Sequence, residues 1–506
     1  MSYWSGQPIN LDAVDATEPY DICVIGSGPA GTIVATSLAQ KGLRTIVLES
    51  GTNMAQWLLD PKIHNLASYT FSGNTDYPLT KTKARLLGGN SNFWTGRCER
   101  LHPADFEQHA YTPQENPWPL TYSELDPYYH KAESTLRVRG GKRSEYAPPR
   151  NDAEHPLISP KTSITYLKNL FAKAGVKVDH SPTATPSKTF RFFNIQKEVL
   201  AESLNLPNLV VVTGVTVTKL LSNKDSEIIS AQIKTFTNEL KSVKAKRYMI
   251  ACGGIESPRL LLLSDCEQFP NGIGNHSGMV GRGFNEHPAV NFYSRINHSL
   301  GTLKPTNKIG RTHQFYNNYR AEGLGSVLPV FRQAWLLPHH VMPFRLSNLP
   351  RQALNTAYRL IKPTLYMGVT IEQSIDKNNK VTLSNEKNDY FGNPIAHLNF
   401  SFTDEDIALL ERCRQLCTET LKQVGATDIF ESEVTWSRHH QGTCRMGNSP
   451  ETSVVDRNLK VHECKNLYVG GCETFVTGGA MQPVLTTVAL SHRLSDHLQG
   501  LFQADS

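Results

Sequence analysis

The stretch YDICVIGSGPAGTIVATSLAQKGLRTIVLESG, residues 20–51, limits the fold more than any other part of the chain. Asp21 to Ile25 is a short apolar run suited to a buried parallel strand. It leads into Gly26-Ser27-Gly28-Pro29-Ala30-Gly31, a G-x-G-x-x-G turn, after which Thr32 to Lys41 reads as a helix stopped by Gly42. Thr45 to Leu48 reads as a second strand that ends at Glu49. Gly26 permits a tight turn, Gly28 lets backbone approach a pyrophosphate, and Gly31 lets the helix pack on the strand. The helix N-terminus offers unpaired N–H groups and a positive dipole end to phosphates. Glu49 is placed to accept hydrogen bonds from the hydroxyls of an adenosine ribose. An acid there disfavours NADP, whose extra phosphate it would repel; FAD and NAD both remain open on this motif alone.

The dinucleotide fold predicted near residue 20 closes only after residue 450. Thr213 to Leu221 reads as a strand, and KRYMIACGGIESPRLLLLSD (Lys246 to Asp265) as another strand ending at Gly253-Gly254, followed by a helix beginning near Pro258. Asn466 to Val469 reads as a strand, Gly470-Gly471 as a turn, and Pro483 to Leu498 as a helix with a broad apolar stripe. A chain of 506 residues is too long for one ordinary core, so two interleaved domains are expected. Residues 18–110, 200–290 and 440–500 are assigned to an α/β, Rossmann-like cofactor domain with helices on both faces of a parallel sheet. Residues 111–199 and 291–439 are assigned to an α+β substrate domain, with strands in KVTLSN and AHLNFSFT forming an antiparallel sheet that backs the pocket.

The net charge of +6 is spread without a long Lys/Arg run, which argues against nucleic acid as a partner. Nine scattered cysteines suit free thiols in a reducing compartment, and no N-terminal signal pattern or apolar run of membrane-spanning length is visible, so a cytoplasmic location is expected. Val327 to Ile361 is apolar, proline-broken and basic, and reads as a lid or as a surface for a membrane or a partner.

Several motifs in order now carry a family resemblance: the glycine turn with Glu49, GGNSNFW, NPWPLTYSELDPYYHKAE, GRGFNEHP, NNKVTLSNEKNDYFGNP, HHQGTCRMG and the final strand–turn–helix. The chain resembles the glucose–methanol–choline (GMC) oxidoreductases, FAD enzymes that oxidise alcohols, nearly end to end. GTCRMG with NLYVGGC is most similar to the pyranose 2-oxidases and the bacterial sugar and glucoside dehydrogenases. The resemblance implies that Gly26, Gly28 and Gly31 hold the FAD pyrophosphate and Glu49 the ribose. It places the adenine at the backbone of Val217, and the flavin and its phosphates at Gly89, Ser91, Asn92 and Trp94. It brings Gly471 and Cys472 to the ribityl chain, and Pro483 with Val484 to the helix start that faces the flavin's pyrimidine end. Three positions depart from the pattern. Phe93 stands where pyranose oxidases attach a histidine to flavin, so non-covalent FAD is expected. Gly471 replaces a frequent aspartate, and Gln482 replaces the usual Asn or His before proline.

HHQGTCRMG, residues 439–447, admits several chemistries. Adjacent histidines point different ways on most backbones and no ligand spacing accompanies them, so no metal site is expected. No C-x-x-C accompanies a redox thiol and no G-x-S-x-G elbow a nucleophilic serine. Cys413 and Cys417, four apart on a helix predicted over Asp404 to Lys422, read as packing residues. A general base fits best, because alcohol oxidation removes a hydride from carbon and a proton from oxygen, and imidazole has a suitable pKa. The resemblance makes His439 that base, with His440 as runner-up or supporting partner, and Gln482 as the second polar group over flavin N5. The expected substrate is a small-molecule alcohol, with a secondary hydroxyl of a sugar or glycoside foremost, and oxygen or another acceptor would reoxidise FAD. A hydrophobic natural-product alcohol, encouraged by the apolar Trp335 to Phe344, and a non-redox lyase of the same family stay open as alternatives.

Overall fold

The computed structural model describes residue 14 and residues 18–141, 143–159, 164–187, 193–296, 309–334 and 364–505. Strand β1 (Tyr20–Ile25), helix α1 (Pro29–Gln40) and strand β2 (Thr45–Glu49) form the predicted N-terminal unit. Pro29 opens α1, a position where its missing N–H costs nothing and its fixed φ suits the first turn. Five parallel strands lie in the order Leu467–Val469, Ala245–Ile250, β1, β2, Leu209–Thr213. Chain segments more than 400 residues apart thus meet in one sheet, as the late Asn-Leu-Tyr-Val run required. The last helix runs over Val484–Ala504, longer than its apolar stripe suggested, and packs on α1. The helix expected near Pro258 begins at Gly253 instead, with Pro258 inside Gly253–Leu263. Pro258 cannot donate to the Gly254 carbonyl four residues back, and that oxygen accepts from the Thr443 hydroxyl at 2.9 Å instead.

A six-stranded antiparallel sheet stands over the parallel one, in the order Ala426–Trp436, Pro288–Ile296, Thr364–Ile371, Val327–Ala334, Ile309–Arg311, Asp179–His180. Alternation with period two sends Val290, Phe292, Phe331, Met367 and Val369 to one face. There they pack on helix Asp404–Gln423 through Leu409, Cys413, Cys417 and Leu421. The alternate residues, Asn291, Arg332 and Tyr366 among them, take the other face.

Two sequence expectations need correction. KVTLSN and AHLNFSFT do pair antiparallel, as Lys380–Asn388 with Pro394–Asn399, but they join Tyr69–Ser72 in a separate three-stranded sheet. Their Val381, Ala396 and Leu398 pack with Ile255 of helix Gly253–Leu263 rather than backing the pocket. Alternation identifies a half-buried strand without saying which sheet receives it. Likewise, Val327–Ala334 is an interior strand of the large sheet and not part of a lid. The rest of that apolar segment, including Trp335 to Phe344, lies outside the described residues. No helix among the described residues is long and apolar enough to cross a membrane. All nine cysteines are unpaired.

Candidate active site

One cleft collects residues from both ends of the chain. Gly26, Gly28, Glu49, Gly89, Ser91, Trp94, Val217, Gly471, Cys472 and Val484 line it, together with His439 and Gln482. The glycine turn and the GGNSNFW loop are tied through Ser27, whose hydroxyl accepts from Gly88 N at 3.0 Å and donates to Glu49 Oε2 at 2.6 Å. Glu49 Oε1 accepts from Gly51 N at 3.0 Å, which fixes the carboxylate at the cleft wall.

Two residues expected at the cofactor lie outside the lining. A Cβ on Gly31 would fall 2.0 Å from the Gly26 carbonyl oxygen, so this glycine serves the packing of α1 on the turn. Asn92 spends its side chain on the loop itself: its Nδ2 donates to the carbonyls of Leu87 and Gly89, and its Oδ1 accepts from Asn194.

The walls fit a dinucleotide. A Cβ added at Gly28 or at Gly253 would meet nothing within 4 Å, so backbone at two helix starts faces open cleft. The Gly253 N–H is taken by Glu473 Oε1 at 3.2 Å, so the start of α1 at Gly28 is the positive helix end that suits a diphosphate. The start of helix Val484–Ala504 faces the same cleft from the other side. Phe93, also in the lining, places a carbon ring where a covalently linked flavin would need a nucleophile. Gly471 is explained by Glu473, since a Cβ at Gly471 would lie 2.1 Å from Glu473 Oε2. Glu473 Oε1 accepts from the Ser257 hydroxyl at 2.7 Å, which ties the turn to helix Gly253–Leu263.

The two histidines of the motif diverge. His440 is buried, its Nε2 contacting Tyr77 Oη at 2.8 Å and Thr82 Oγ1 at 3.1 Å, which is a satisfied structural ring. His439 is half-buried at the cleft, and its Nδ1 lies 2.9 Å from Nδ1 of His287. One of these two nitrogens carries the hydrogen between them. Glu286 accepts the backbone N–H groups of Ser437, at 2.9 Å, and of His439, so the turn that carries His439 is pinned to the start of strand Pro288–Ile296. Burial, then the neighbouring His287, His440, Arg311 and Arg97, hold the His439 imidazole well below its ordinary pKa. Burial also draws His287 down to about 4. Both rings are therefore neutral near pH 7.

Gln482 is buried, and its Oε1 accepts from Nη1 of Arg311 at 2.6 Å. A guanidinium can only donate, so this contact fixes the amide's orientation and leaves its NH2 as the available end. Arg311 is fully buried and pairs with Glu99 at 2.8 Å. His287, Arg311 and Glu99 are not singled out by the sequence. His287 lies in the GRGFNEHP motif, which was the available signal; isolated arginines and acids on strands or loops carried none.

Two family profiles described as GMC oxidoreductase match residues 21–289 and 376–491. The chain is 25% identical to paromamine 6'-oxidase of Streptomyces fradiae, over 98% of this chain and 95% of that protein. It is also 25% identical to the fructose dehydrogenase large subunit of Gluconobacter japonicus, over 94% and 97%. A variant of formate oxidase from Aspergillus oryzae shares the fold, with a TM-score of 0.68 at 18% identity, covering 96% of this chain and 99% of that one.

Proposed function

The chain belongs to the GMC oxidoreductase family, a group of FAD-binding enzymes that act on CH–OH donors, and from this premise we propose that it oxidises a hydroxyl of a sugar or glycoside with His439 as base. FAD, held without a covalent bond since Phe93 offers no attachment atom, supplies the acceptor for the hydride that leaves the carbinol carbon. The relatives named for paromamine and fructose favour a sugar-like substrate.

The observation that carries this reading is the 2.9 Å contact between the Nδ1 atoms of His439 and His287 at the wall of the cleft. If His439 donates from Nδ1, its Nε2 is the lone pair that takes the hydroxyl proton. His287 then accepts at Nδ1 and carries its own hydrogen on Nε2. The Gln441 amide nitrogen lies 3.3 Å from that Nε2 and its Oε1 has no partner, so a half-turn of the amide, which exchanges the two atoms, gives the Nε2–H of His287 an oxygen to donate to. His287 is in this way a positioning residue that selects the productive tautomer of His439. The free NH2 of Gln482 donates to the substrate oxygen as that oxygen loses its proton, which favours the charge developing there.

The test is an anaerobic titration of the FAD-loaded protein with sugars, glycosides and simple alcohols while the visible spectrum is followed. Loss of the flavin band on addition of a sugar or glycoside, with the carbonyl product isolated, supports the proposal. Product formed without bleaching would show lyase chemistry and end it. Because the His439 pKa lies below 6.5, the reduction rate at saturating substrate should stay flat from about pH 8 down to about pH 6.5 and fall only below that. A rate that already falls between pH 8 and 7 on acidification would assign the base elsewhere. Gln482→Asn withdraws the amide by one methylene, about 1.5 Å, from where Arg311 holds it. Its flavin content should be unchanged while the reduction rate drops by roughly 10- to 100-fold or the oxidised position changes. Unchanged rate and product would reduce Gln482 to wall lining.

A further inference from the structure

Next to His439 and Gln482 the cleft carries more positive charge than alcohol oxidation needs. Arg97 lines the cleft itself. Arg311 stands behind Gln482, and Arg332 projects from the adjoining strand over the Tyr366 ring, 5.2 Å from its centroid. The sheet's alternation places Arg332 on the face opposite the helix on which Phe331 and Met367 pack, and Arg311 reaches the cleft through its contact with Gln482. The Nε atoms of all three arginines, and Nη2 of Arg311, are buried with no hydrogen-bond partner among the described residues. Glu99 is the carboxylate that meets the group, through Arg311; its Oε1 also accepts from Ser181, and its Oε2 is unpartnered. The internal segments outside the described residues (142, 160–163, 188–192, 297–308 and 335–363) contain no Asp or Glu and bring no further counter-charge.

One fully buried and two half-buried guanidinium groups against one carboxylate leave an excess of positive charge that an anion would balance. Burial, aided by Arg97 and opposed by Glu99, pulls the Arg311 guanidinium down to about 9. Guanidinium forks match the oxygens of a carboxylate or phosphate and lose little entropy in binding them. We infer that the substrate alcohol carries an oxyanionic group, held by Arg97 at the cleft wall with Arg311 and Arg332 adding positive charge behind it, while its hydroxyl meets His439 and Gln482. The inference rests on the alcohol-oxidation reading and narrows it from neutral sugars to acidic ones, such as uronates, aldonates or sugar phosphates. Arg311 couples the two ends of such a molecule, because the guanidinium that orients Gln482 also adds its charge behind Arg97.

The FAD-loaded enzyme decides the matter with matched pairs under anaerobic conditions: glucose and glucuronate, sorbitol and gluconate, glycerol and glycerol 3-phosphate. The anionic member should reduce the flavin with a Kd at least tenfold lower than its neutral partner. Acetate and inorganic phosphate, which have no carbinol carbon, should bind and compete; whichever competes better tells carboxylate from phosphate. Arg97→Gln, at a half-buried position where folding is the safer, should weaken that binding more than tenfold and bring the pairwise preference toward unity. Equal Kd values within every pair, or anion binding untouched by Arg97→Gln, would overturn the inference. So would a shift in flavin midpoint potential with anion affinity unchanged, since the arginines would then serve the reduced cofactor. If acetate or phosphate binds through Arg97 while no alcohol of either kind bleaches the flavin, the anion site stands and the alcohol-oxidation reading falls.

Discussion

His439→Ala is expected to slow reduction of the flavin by substrate roughly 10²- to 10⁴-fold, the range a positioned general base supplies, in a protein that remains folded and yellow. The fold should survive because Glu286 holds residue 439 by its backbone N–H, which alanine retains. The residue is also only half-buried, so truncation leaves space that opens into the cleft rather than a sealed cavity. His287 cannot take over the chemistry: it is fully buried behind His439 and absent from the cleft wall. A stopped-flow trace should therefore show the loss in the reduction rate at saturating substrate, with a smaller change in apparent affinity, the pattern of an interaction made in the transition state. Added imidazole should restore part of the rate by filling the vacated space. His440→Asn is the control, because that ring is occupied by Tyr77 and Thr82 and its loss should act on stability instead of the chemical step. Reduction of the alanine variant at the native rate would remove His439 from the mechanism.

The parts of this site that the sequence displayed are those built from contiguous residues. A glycine turn between a strand and a helix and an acid at the end of the next strand have fixed local geometry that spacing reveals, whereas the histidine three residues before Gly442 was picked out by the family resemblance; all of them line one cleft. The cationic wall has no such signature. Arg311 and Arg332 sit on strands whose alternation reads as one apolar and one polar face, and a polar face ordinarily means solvent. Here that face backs the cleft, because Arg311 meets Gln482 of the cleft wall. Glu99 and Arg97 come from a loop whose glycines and aromatic residues point only to flavin contacts, and they acquire meaning through Arg311, more than 200 residues away. His287 lies inside a recognisable motif, yet its role depends on which nitrogen faces His439, and that is decided by tertiary packing. The misplaced KVTLSN pair has the same origin: periodicity specifies the face a strand buries and not the partner it buries it against.

The glycine turn separates cofactor binding from folding in a way two substitutions can expose. Gly28 has φ −64° and ψ −176°, a backbone open to any residue, and an added Cβ meets no protein atom within 4 Å. Gly28→Ala should therefore leave the melting temperature of the FAD-stripped protein within about 1 °C of wild type, since no packing is disturbed. Its methyl group would nonetheless stand where a diphosphate must approach the backbone N–H groups, so affinity for FAD should fall by about two orders of magnitude or more, as expected when charged acceptors are kept from their donors. Gly31 presents the opposite case. A Cβ there lies 2.0 Å from the Gly26 carbonyl oxygen and 3.2 Å from Val24 Cγ1, both in β1 or its turn. Gly31→Ala must push α1 off the strand it covers, and strain of this kind costs roughly 1–3 kcal/mol or more in a close-packed core. The stripped protein should melt several degrees lower, and FAD binding should fail as a consequence of the displaced helix start. Melting curves of the stripped variants beside fluorescence titrations with FAD distinguish the two causes. Native affinity in Gly28→Ala would mean that the diphosphate does not pass this turn, and the cofactor placement on which His439 and Gln482 depend would have to be abandoned.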